Sequence, residues 1–145
     1  MLLKKYKNIS KIAKKIGFTD FDLVTNYGLF AGDTNLFKTL KIIEIIENIK
    51  NVPGDIIEFG VWNGNTSILI KKILDIKKIK KKVYLFDHFK GLEHYSKKDS
   101  NVSLSYKGFY QGKVKKIKKI ICFFNLKKIK IIDKDATQVI KEDFK

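Results

Sequence analysis

The chain has 145 residues, 44% of them hydrophobic and 32% charged, with a formal net charge of +16. That length supports one domain with its own core, and no apolar run reaches membrane-spanning length. All 31 basic residues are lysine; the arginine fork that reads guanine and grips phosphate in pairs is absent, which argues against a specific nucleic-acid reader.

The lysines alternate with isoleucine, as in KKILDIKKIKKK and KVKKIKKII. An A-rich coding bias gives the same pattern, so the charge reads first as solvated helix faces with a weak, salt-sensitive pull on polyanions. The first residues, MLLKKYKNISKIAKKIG, are broken by lysine throughout and form no signal-peptide core. The single cysteine, Cys122, excludes an internal disulfide and points to a reducing cytoplasm. Its apolar helical surroundings predict a buried packing role.

In chain order, residues 4–16 place Ile9, Ile12, Ala13 and Ile16 at helical spacing, and Gly17 ends the pattern. A polar and aromatic connector, FTDFDLVTNYGLFAGD, follows. Asp33 or Thr34 caps a helix over 35–49, with Leu36, Leu40, Ile43, Ile46 and Ile49 as its stripe. Pro53-Gly54 breaks the chain, and 55–60 reads as a short strand. A helix over 66–80 turns Leu69, Ile70, Ile73, Leu74 and Ile76 inward, and 83–87 (VYLFD) is a second strand. Residues 89–112 form a loop long enough to be either a substrate lid or a disordered excursion. A helix over 113–124 carries Val114, Ile117, Ile120, Ile121 and Phe124 on one face; 129–132 is the third strand.

Three apolar strands joined by helical crossovers predict an α/β fold with a parallel sheet. The expected organisation is an N-terminal helical segment, 1–52, and an incomplete Rossmann-like domain, 53–145. In such sheets ligands bind beyond the carboxyl ends of the strands. Those ends carry Glu58-x-Gly60 with Gly64, then Asp87, then Asp135. Glycines let the backbone turn tightly, the N–H groups at Asn65, Thr66 and Ser67 favour an anion, and the two later acids suit ribose hydroxyls and an exocyclic amine. Taken alone, the glycine turn serves equally well as a plain tight turn. Gly60 and Gly64 are separated by Val-Trp-Asn, so GxGxxG is missing, as is the Gly-Lys-Ser/Thr of a P-loop. Trp62 is a packing anchor or a cofactor-stacking ring. His88 and His94 read as loop residues, and no His/Cys/Asp/Glu group has metal-ligand spacing.

The combination of VPGDIIEFGVWNGNTS, VYLFDHFKGL and DKDAT resembles the macrocin O-methyltransferase family of class I S-adenosylmethionine-dependent methyltransferases. The resemblance implies a Rossmann-like methyltransferase fold and O-methylation of a sugar or other small-molecule hydroxyl. It implies that Glu58, Gly60 and Gly64 shape the cofactor pocket and that Ser67 lies near the methionine carboxylate. Asp87 would bind the ribose, His88 and Phe89 would wall the adenine, and Asp135 and Ala136 would face it. Asn63 and Asn65 depart from the arginine and glycine common in the family. The complete fold has further strands beyond the three found here, and the acids that hold Mg2+ in a complete member would lie among them. The sequence therefore reads as the cofactor half, with its first strand left as an edge that invites self-association. The competing readings are an inactive fragment, a lysine-rich α/β binding module, or another nucleotide-binding α/β protein.

Overall fold

The structure is a computed structural model; residues 14, 15, 17–25, 33–93 and 107–144 are described. The expected helix over 4–16 lies outside them except for Lys14 and Lys15, as does His94. Two compact units divide the chain, residues 1–42 and 43–145.

The first unit holds a helix that the sequence reading passes over, α1 (Asp20–Thr25), inside the expected connector. Its start is a reciprocal cap. Thr19 Oγ1 accepts from the Asp22 N–H (3.2 Å), and Asp22 Oδ2 accepts from the Thr19 N–H (2.7 Å). Thr-x-x-Asp is the capping-box pattern, so the signal stands in the sequence. The Asp22 carboxyl is held below its ordinary value, chiefly by the Thr19 hydroxyl and then by the Thr19 N–H. Helix α2 (Asp33–Ile49) begins two residues before its expected start. Of its expected stripe, Ile46 is buried and Leu40 is exposed.

The second unit contains the sheet. Strands β1 (Ile56–Phe59), β2 (Val83–Asp87) and β3 (Ile129–Asp133) pair in parallel, in the order β1-β2-β3. Helix α3 (Asn65–Ile76) joins the first two strands and α4 (Val114–Phe123) lies between the second and third. Register runs Ile56 to Val83 and Phe59 to Phe86 across the first pair, and Asp87 to Asp133 across the second. The start of β1 is pinned by side chains. Lys81 Nζ donates to the Val52 and Gly54 carbonyls, and the Lys82 N–H donates to Asp55 Oδ1 (2.7 Å).

β2 is the centre strand, and Val83 to Phe86 are all buried, as expected of a strand covered on both faces. Tyr84 and Phe86 share one face with Ile132, and Val139 and Phe144 pack over them. The Phe144 ring stands 5.4 Å from both the Tyr84 and the Phe86 ring, and the Tyr84 hydroxyl donates to the Phe144 carbonyl (2.8 Å). Burying one such ring contributes about 1.5–3 kcal/mol. Two short 3-10 turns, Ala136–Gln138 and Lys141–Phe144, carry the chain into that position. β1 is an edge, and its Ile57 and Phe59 side chains are 42% and 54% exposed.

Three packing expectations are corrected. On α3, Ser67 and Ile68 turn inward while Ile76, the last residue of the helix, is 80% exposed. On α4, Ile117 is the buried residue, and Ile120 and Phe124 are exposed. Cys122 is exposed, not buried. It lies five residues after Ile117, about 140° around a helix of 3.6 residues per turn, and so faces away from the contact.

Candidate active site

The rim of the sheet is built by continuing the ladder one residue past β1 and past β3. The Gly60 N–H donates to the Phe86 carbonyl (3.0 Å) and the Lys134 N–H to the Asp87 carbonyl (3.2 Å). The turns after the three strands therefore lie side by side. Between them opens a cavity of about 450 Å³, whose lining includes Gly60, Trp62, Asp87, His88, Asp135 and Ala136. Phe86, Gly91, Leu92, Tyr110 and Lys134 complete it.

Asp87 organises this rim. Its Oδ2 accepts from the Trp62 N–H and its Oδ1 from the Phe89 N–H, both at 2.7 Å. Trp62 and Phe89 have φ of 51° and 55°, the left-handed region that non-glycine residues adopt at a cost. One carboxylate thus fixes the turn after β1 and the turn after β2 against each other. An ionised carboxylate offers about four acceptor positions, so these two bonds leave capacity for ligand hydroxyls. Asp135 behaves similarly. Its Oδ1 accepts from the Thr137 N–H (2.8 Å) and the Thr137 hydroxyl (2.6 Å), which starts the first 3-10 turn and sets Ala136 on the cavity wall. His88 Nδ1 accepts from the Lys90 N–H (3.1 Å). Lys134 Nζ is tied to Asp143 Oδ1 (2.6 Å); that bond, then the Ile140 N–H, holds the Asp143 carboxyl below its ordinary value.

The other sequence-predicted residues lie away from the cavity lining. Glu58 alternates onto the face of β1 beneath α3, where it accepts from the fully buried Ser67 hydroxyl. The pair fastens α3 to β1. Gly64, with φ 79°, caps α3, and its open side is filled by Ile117, whose Cγ2 would stand 3.1 Å from an added Cβ. Phe89 is buried, and its carbonyl accepts from the Gly112 N–H (3.1 Å). Tyr110, which the sequence reading left within a long loop, reaches the site because the two ends of that loop pair. The Leu92 N–H donates to the Phe109 carbonyl (3.0 Å) and the Gly108 N–H to the Leu92 carbonyl (2.9 Å). The sequence signal available was the run of tyrosine and glycine at 106–112.

The family profile described as Macrocin-O-methyltransferase (TylF) matches residues 6–121. The chain belongs to the macrocin O-methyltransferase family. Solved structures with the same fold include that titled "Crystal Structure of CalS11, Calicheamicin Methyltransferase", at 17% identity and a TM-score of 0.75, covering 94% of this chain and 58% of that one. Another is the "Structure of the O-methyltransferase NovP", at 20% identity and a TM-score of 0.55, covering 65% of this chain and 43% of that one. This macrocin O-methyltransferase family chain thus spans about half the length of the solved structures it matches. A search of curated proteins finds no match.

Among the described residues no group of three or more His, Cys, Asp or Glu is arranged to hold a metal ion. Nor, among them, is any helix long and apolar enough to cross a membrane.

Proposed function

We propose that the chain is the S-adenosylmethionine-binding part of an O-methyltransferase acting on a sugar or other small-molecule hydroxyl. The observation that carries this reading is the cavity at the carboxyl ends of three parallel strands, where Gly60, Asp87, His88, Asp135 and Ala136 meet. Its size suits a nucleoside with a short tail. The remaining lone pairs of Asp87 would accept ribose hydroxyls, and Asp135 an exocyclic amine, with Ala136 and His88 against the base. Gly60, φ 78°, leaves the backbone open toward the tail. Glu58, Ser67, Gly64 and Phe89 act one layer behind, holding α3, α4 and the 89–112 loop so that the rim keeps its shape.

Gly60, Asp87, His88, Asp135 and Ala136 would hold the cofactor, which when bound would supply an activated methyl group to the acceptor hydroxyl, the carbon–sulfur electron pair going to sulfur and the hydroxyl proton to a base. The part of the catalysis assigned to this chain is orientation of the donor for in-line transfer.

Titration calorimetry of the wild type with S-adenosylmethionine tests the reading. Saturable heat is expected, abolished or weakened about tenfold or more by Ala136→Leu, which fills the cavity wall. Absence of heat with the folded wild type refutes it.

A further inference from the structure

Two aromatic rings stand at the β1 end of the cavity. Trp62 sits in the turn after β1, and Tyr110 comes from the returning arm of the 89–112 loop. Their centroids are 5.5 Å apart and their planes meet at 82°, an edge-to-face pair. Both line the cavity, and both remain about half exposed, at 45% and 50%.

Both residues also hold left-handed backbone, with φ of 51° and 63°. Glycine or asparagine would adopt that conformation at lower cost. The strain at Trp62 is countered by its N–H bond to Asp87, and at Tyr110 by the paired arms of the loop. Burial does not account for the rings, since half of each surface faces the cavity or solvent. Their mutual packing covers one side of each ring and leaves surface in the cavity lining that a ligand can contact.

The position of the rings along the cavity identifies which part of the ligand they meet. This step rests on the proposed cofactor reading. With the base beside Asp135 and Ala136 and the ribose on Asp87, the tail runs toward Gly60 and Trp62. The first group on that tail, one methylene beyond the ribose, is the sulfonium. It carries a full positive charge that is weakly hydrated, and electron-rich ring faces attract such cations. The product differs at that atom by being a neutral thioether.

We infer that Trp62 and Tyr110 form an aromatic wall that holds the donor's sulfonium cation and discriminates it from the neutral product. Ring faces act here as the charge-reading element; among the described residues, no side-chain carboxylate other than Asp87 and Asp135 lines the cavity.

The test is a pair of titrations, with S-adenosylmethionine and with S-adenosylhomocysteine, on the wild type and four variants. Trp62→Leu and Tyr110→Leu remove the ring faces; Trp62→Phe and Tyr110→Phe keep them. The ratio of product Kd to donor Kd is expected to fall roughly three- to fivefold in each Leu variant, the size of a part-exposed cation–π contact, and to stay near the wild-type ratio in each Phe variant. Circular dichroism confirms folding, and Tyr110→Leu carries the test if Trp62→Leu unfolds. A Leu variant that weakens both ligands equally overturns the wall while leaving the cofactor reading in place. A folded wild type that binds neither ligand overturns the cofactor reading, and the wall with it.

Discussion

Asp87 ties two turns of the rim together, and substitution measures that clasp. Its carboxylate accepts two backbone N–H bonds of 2.7 Å, from Trp62 and Phe89, across two turns that belong to different strands. A hydrogen bond to a charged group contributes about 1.5–3 kcal/mol. The Trp62 N–H is reachable by water after the side chain is removed, so its loss sits at the low end; the Phe89 N–H is part-buried and its loss costs more. Asp87→Ala is therefore expected to destabilise by about 3–4.5 kcal/mol. Asp87→Asn keeps the shape but presents an NH2 where one N–H needs an acceptor, and is expected to lose about half of that. The assay is urea denaturation followed by far-UV circular dichroism and by the fluorescence of Trp62, the single tryptophan, which lies in one of the two tied turns. Both probes should move together, with the midpoint lowered and the slope retained. If Asp87→Ala and Asp87→Asn both fall within about 0.5 kcal/mol of wild type, a level ordinary for surface substitutions, then the carboxylate does not clasp the turns.

Further outcomes are expected elsewhere. In Gly112→Ala the new Cβ would meet the Trp62 carbonyl oxygen and, at 2.5 Å, Phe89 Cδ1. Backbone has to move, so a loss of about 1–3 kcal/mol is expected in thermal denaturation, along with weakened donor binding because the displaced arm carries Tyr110. Ser67→Ala removes the donor to Glu58 and should cost about 1–2 kcal/mol with donor affinity changed less than about twofold, since Ser67 is fully buried and outside the cavity lining; a large loss of affinity in a stable variant would return Ser67 to the ligand. Acid should loosen the segment that covers Tyr84 and Phe86. The Asp143 carboxyl is lowered from 3.8, first by Lys134, so its folded form prefers ionisation. Its stabilising contribution is present above 3.8 and lost as pH falls through the lowered value. Lys134→Met should flatten that acid limb in a pH series of melting curves.

The parts of the fold that follow from local pattern were legible in the sequence. VYLFD is a strand in the structure over the same five residues, because its apolar run needs no partner to be recognised as interior. The lysine-spaced helices α3 and α4 and the parallel order follow from period and connection length. Meeting of Gly60, Asp87 and Asp135 at one rim also follows, since parallel strands put all carboxyl ends on one side. What the sequence left undecided depends on contacts between distant residues. The direction of Glu58 is set by register, and one residue in a period of two decides between cavity and helix. Gly64 reads as a ligand-approach glycine until Ile117, far along the chain, is found filling its open side. Cys122 reads as buried until the contact face of α4 narrows to Ile117. Tyr110 joins the site only because Leu92 pairs with Gly108 and Phe109. The sequence by itself determined that three strand ends share one rim; the tertiary structure alone decided which of the residues there face the cavity and which pack behind it, because that choice is made by packing between elements and not by pattern within one.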